Sequence, residues 1–168
     1  MKTVWLVLVC AFLAACGSGS KEGSGTGGKV MTPDQVTATA RLQIASQGPT
    51  ADAVLYAAQF TLHLPQGVTL PTSTEGGLLP PGVLVPAPSG SYAGATYLPA
   101  TNGSAASVQV NITHPGGFTV GPLATLNCSV SPGTDVAATS FTLEAFSARD
   151  GNGIEIPEIT AHLALLKQ

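Results

Sequence analysis

The stretch from residue 120 to 130 limits this chain to very few folds. Within it Ala124, Leu126, Cys128 and Val130 share one parity, and Thr125, Asn127 and Ser129 take the other. A helix would scatter the four apolar residues around its circumference, whereas a strand sets them all on one face. Alternation with a period of two therefore specifies a half-buried β-strand. Residues 140–153 form its expected partner in organising the fold. Phe141, Leu143 and Phe146 mark a second strand, and Asp150-Gly151-Asn152-Gly153 is a strong reversal signal.

The rest of the chain repeats the pattern. Residues 36–44 alternate with Ala38, Ala40, Leu42 and Ile44 inward and Thr37, Thr39 and Gln43 outward. Residues 54–64 place Tyr56, Ala58, Phe60, Leu62 and Leu64 on one face, opposite Gln59, Thr61 and His63. Residues 91–98 read as a strand carrying Tyr92 and Tyr97, and residues 107–113 alternate around Gln109 and Asn111 until Pro115-Gly116-Gly117 breaks them. Residues 159–165 close the fold with odd positions inward. Between residues 71 and 99 six prolines, each lacking a ladder donor, forbid regular central strands. Apolar Leu78, Leu79, Val83, Leu84 and Val85 in that span predict a long loop packed over one end of the domain, with short edge strands. Short alternating runs separated by Gly/Pro turns predict an all-β, antiparallel β-sandwich. Its expected core includes Leu42, Ile44, Phe60, Leu62, Val110, Leu126, Cys128, Leu143 and Leu163.

At the N-terminus, Lys2 precedes a short apolar segment ending in Leu13-Ala14-Ala15-Cys16, which resembles the lipobox of bacterial lipoproteins. The resemblance implies cleavage before Cys16, lipidation of its thiol and attachment to the bacterial cell envelope, at the outer membrane in a diderm organism. Two or three acyl chains anchor stably, since each buried methylene contributes about 0.8 kcal/mol. The Gly/Ser-rich run that follows has nothing apolar to bury and predicts a flexible tether reaching about 20 Å. The expected organisation is a signal peptide over 1–15, lipidated Cys16 and tether over 16–30, and one domain over 31–168.

A second resemblance concerns the domain. Gln59-Phe60-Thr61-Leu62-His63-Leu64-Pro65-Gln66-Gly67-Val68 is similar to the early strand and turn of cohesin-like domains. Residues 123–130 resemble their central strand, and residues 141–155 their closing hairpin. The chain departs from that pattern in its Pro-rich span and at Ala57-Ala58. The family implies a jelly-roll sandwich related to carbohydrate-binding modules, and cohesins dock protein partners through one sheet face.

Charge and chemistry narrow the function classes. Lys2 would leave with the signal, leaving five basic against nine acidic side chains, a balance of −4. That excludes a nucleic-acid partner and electrostatic attraction to anionic lipid. With Cys10 in the signal and Cys16 lipidated, Cys128 has no disulfide partner and is expected to be a small buried hydrophobe. His63, His114 and His162 show no ligand spacing and are expected to be solvated; no Gly-x-Ser-x-Gly motif or phosphate loop occurs, no Ser/His/Asp set can be picked out, and no cofactor is expected. Asp150 and Asn152 offer alternating oxygens like the start of a calcium loop, but the downstream acidic ligand is missing and a turn is the favoured reading. Sugar binding calls for exposed aromatic rings, for which Tyr92 and Tyr97 are the candidates. The expectation is a membrane-anchored, non-enzymatic module engaging a protein partner, with a polysaccharide ligand as the alternative.

Overall fold

The computed structural model describes residues 38–73 and 77–166, so the lipobox, the tether, the start of the domain and Thr37 lie outside the described residues. Two antiparallel sheets pack face to face. Sheet A is ordered β3 (Val68–Thr69), β7 (Pro122–Val130), β1 (Ala38–Gln47), β9 (Thr160–Leu166), and β4 (Leu84–Pro86) also pairs with β7. Sheet B is ordered β5 (Tyr92–Leu98), β6 (Ser107–Thr119), β2 (Val54–His63), β8 (Thr142–Arg149). A 3-10 turn, Ala138–Ser140, leads into β8.

Alternation explains the packing. Leu42, Ile44, Leu126 and Cys128 face inward from sheet A, where β1 and β7 pair Leu42 with Leu126 and Ile44 with Ala124. Phe60, Leu62, Val108, Val110 and Ile112 face them from sheet B. Each large side chain buried in this layer contributes about 1.5–3 kcal/mol. Leu143 and Leu163 pack against the core partly buried. Where Pro122 cannot donate, the register of β1 on β7 shifts. There the buried Ser46 hydroxyl bridges the gap, donating to the Gly121 carbonyl at 3.1 Å and accepting its N–H at 3.0 Å.

Three expectations are corrected. First, residues 141–149 do not partner the 120–130 strand: β8 pairs with β2 in sheet B, whereas β7 pairs with β1, β3 and β4 in sheet A. The two stretches lie in opposite sheets because both apolar faces turn toward one core. Second, Pro115-Gly116-Gly117 does not end its strand. Leu55 stands opposite Phe118 and Ala57 opposite Thr113, so residues 114–117 bulge out opposite Tyr56 alone. His114 fixes the bulge. The Gly116 N–H donates to Nδ1 at 3.0 Å, leaving Nε2 as the protonated nitrogen that donates to the Ser89 carbonyl at 2.9 Å. Gly117, at φ +74°, lets the backbone lie against the Tyr56 ring, which a Cβ there would meet at 3.1 Å. Third, the Pro-rich span lies along the sandwich side, with β4 on β7 and Leu78 bridged to Thr96, rather than capping an end.

Candidate binding face

The outward face of sheet B is built from the odd positions of β2 and β6 and the even positions of β5. Register sets Thr96, Gln109, Thr61 and Glu144 in one row across the four strands, and Gly94, Asn111, Gln59 and Ser147 in the next. Two features make this face concave. Gly94 contributes no side chain, and a Cβ there would meet nothing within 4 Å. In β8, Ala145 and Phe146 together oppose Phe60, a bulge made with Ala145 at φ 51°. The result is a shallow depression of about 510 Å³ lined by Gln59, Thr61, Gly94, Thr96, Gln109 and Asn111, with Leu78 and Ala145 at its sides.

Among the described residues the lining carries no ionisable group. Gln59, Gln109 and Asn111 are exposed and make no side-chain hydrogen bond among the described residues, so their donors and acceptors are unspent. Charge sits along the β8 side, where His63 Nε2 and Glu144 Oε2 lie 3.1 Å apart on the same face. Apolar exposure sits along the β5 side: Leu78 is 57% exposed, Tyr92 72% and Leu98 50%. The polar face of β2 and β6 was legible from alternation, and Thr96 follows from the same parity rule. Leu78 and Ala145 carry no local sequence signal, because a strap and a bulge in distant strands bring them here.

The other candidates fall elsewhere. Tyr92 points outward on this face, opposite Thr113. Tyr97, five residues on, takes the other parity, is buried in the core and lines a separate cavity of about 450 Å³ with Leu64, Val68 and Ala106. The two tyrosines therefore form no shared platform. Asp150 Oδ1 accepts the backbone N–H of Asn152 at 2.9 Å and of Ile154 at 2.8 Å. These bonds, that from Ile154 foremost, hold the Asp150 carboxyl below the usual carboxylate range. One carboxylate oxygen is thus committed to closing the turn. Among the described residues no group of three or more His, Cys, Asp or Glu side chains converges. Cys128 is buried, and burial pushes its thiol up to about 12. Cys16 lies outside the described residues. No protein-family model matches this chain, and no curated protein or solved structure matches it at a significant level.

Proposed function

We propose that this chain is a lipid-anchored, non-catalytic, cohesin-like jelly-roll module of the bacterial envelope that holds a protein partner on the outward face of sheet B. One observation carries the reading. Among the described residues the face has an uncharged, concave centre of unspent amides and hydroxyls, exposed Leu78, Tyr92 and Leu98 on one flank and the His63–Glu144 pair on the other. Protein interfaces share that anatomy, with charge depleted at the centre, aromatic anchors enriched and a polar rim. The lipid expected on Cys16 and the tether after it would display this face with rotational freedom.

A second reading, a neutral polysaccharide ligand, draws support from Tyr92 on the same face as the amides, because an exposed ring offers a sugar a stacking surface. Capture experiments separate the two. Chains bearing Gln109→Lys or Leu78→Glu are compared with the parent for recovery of envelope proteins and for retardation on neutral polysaccharide gels. Protein recovery lost in both variants, without gel retardation of the parent, supports the proposal. Retardation abolished by Tyr92→Ala, with protein recovery unchanged across the variants, replaces it with sugar binding.

A further inference from the structure

The end of the sandwich formed by the β2–β3 turn and the β5–β6 connection holds a cavity that shares no lining residue with the docking face. Its volume of about 450 Å³ falls in the range usual for small-molecule sites, about 300–1,000 Å³. Buried Leu64, Val68, Tyr97 and Ala106 line its floor, and exposed Ala100 and Ala105 stand at its mouth. Residues 100–106 are Ala, Thr, Asn, Gly and Ser, none with a large apolar side chain to fill the space. The described parts of the Pro-rich strap do not wall it, since nothing in 71–73 or 77–86 is among its lining residues.

Backbone bonds hold the walls in place before anything enters. The Leu64 N–H donates to the Ala106 carbonyl at 2.8 Å and ties the two walls together. On one wall the Val68 N–H donates to the Pro65 carbonyl at 3.1 Å, and the Gly67 carbonyl accepts the Ser131 N–H at 2.8 Å. On the other, Thr101 and Ser104 exchange backbone bonds of 3.1 and 3.0 Å, which close the turn through Asn102 and Gly103. A site fixed in this way spends little of its binding energy on ordering its own loops.

The lining selects the ligand. Among the described residues it includes no Asp, Glu, Lys, Arg or His, so a charged group entering would lose water and gain no counter-charge. Its apolar walls favour a hydrocarbon body. Tyr97 adds one polar contact: the residue is only 5% exposed, and its hydroxyl makes no hydrogen bond among the described residues. That hydroxyl is not sealed in the core, and the space beside the ring is this cavity. A phenolic oxygen both donates and accepts, so it suits a hydroxyl or a carbonyl equally. We infer that the cavity binds a small uncharged molecule, hydrocarbon over most of its surface, whose single hydroxyl or carbonyl is held by Tyr97.

Titration of the full chain with 2-naphthol, followed by amide NMR shifts, tests the site. Saturable binding with shifts centred on Leu64, Val68 and Ala106 is expected. 2-Naphthoate, the same rings bearing a carboxylate, binds at least about tenfold more weakly. Tyr97→Phe removes only an unpartnered hydroxyl, so the circular dichroism spectrum is unchanged. It weakens 2-naphthol about fivefold and leaves the affinity for naphthalene as it was. Ala105→Trp fills the mouth and abolishes binding, whereas Gln109→Lys on the docking face changes nothing. No saturable binding, shifts centred on Gln59, Gln109 and Asn111, equal affinity for the carboxylate, or equal losses of 2-naphthol and naphthalene in Tyr97→Phe overturns the inference. The docking-face reading is scored separately, since Tyr97→Phe and Ala105→Trp leave Gln59, Gln109 and Asn111 untouched and partner recovery is retained.

Discussion

The two outward faces of the sandwich are made from the same kinds of residue and are used differently. On sheet A the Asn127 amide donates to the Gly82 carbonyl at 2.6 Å, and its backbone N–H donates to Val83 at 2.8 Å. The polar side chain there is spent holding the Pro-rich strap along β7, and neighbouring Gln43 and Thr125 are half-buried. On sheet B the chemically equivalent Asn111, with Gln59 and Gln109, is exposed and unspent around a depression. An amide on a strand's polar face is therefore no signal of binding by itself. What separates the faces is whether the chain's own loops have already satisfied it.

Removing the floor beneath each face should have the largest effect and should not discriminate between them. Phe60→Ala under sheet B is expected to cost about 3–5 kcal/mol, and Leu126→Ala under sheet A about 2–5 kcal/mol. Urea midpoints will check both. Cys128, beneath sheet A, reports on the same layer. Its thiol titrates at about 12 in the fold against 9.0 when exposed, so its contribution to stability is intact below pH 9 and lost as the pH rises toward 12. Disulfide-reagent labelling at neutral pH should run on the order of a thousandfold or more below the unfolded rate.

The faces separate at their amides. Asn127→Ala is expected to cost about 1 kcal/mol because it releases the strap. Asn111→Ala should change stability by under about 0.5 kcal/mol yet reduce partner recovery, and paired denaturation and capture measurements test that inversion. Replacing Ala145, whose backbone is left-handed at φ 51°, with Gly should stabilise the domain by about 1 kcal/mol while keeping the depression. The smallest effect concerns Asp150. Its carboxyl titrates below the ordinary value, so it stabilises the fold above that value and loses the contribution as pH falls through the lowered one. Acid denaturation of Asp150→Asn should lack that part of the pH dependence.

The sequence carried the faces better than the connections. Alternation in β7, and in β1 and β2 away from their starts, fixed which side of the strand is buried, because one apolar parity can be buried only one way. At the start of β2 the register shift buries Leu55 rather than the expected Tyr56, and Ala38 at the start of β1 is exposed. Alternation did not tell which strands pair. Residues 141–149 looked like companions of β7, and only the shared core, reached from opposite sheets, assigns them to β2. The bulge at 114–117 carries a break signal locally, because Pro-Gly-Gly favours a turn, whereas the His114 bridge and the packing of Tyr56 that sustain the bulge are long-range. The candidate site was half legible: the β2 and β6 residues followed from parity, but Leu78 and Ala145 did not. Tyr92 and Tyr97 share a residue type, but their odd spacing places them on opposite faces.

Site-specific photo-crosslinking tests the central claim most directly. A photoreactive amino acid is placed at Gln109 on sheet B in one chain and at Gln43 on sheet A in another. Both chains are irradiated in the intact cell envelope, and the adducts are read by mass spectrometry. The account predicts a discrete protein adduct from position 109 that position 43 does not give, and that Leu78→Glu suppresses. Equal adducts from both positions, or an adduct from position 43 alone, would contradict it.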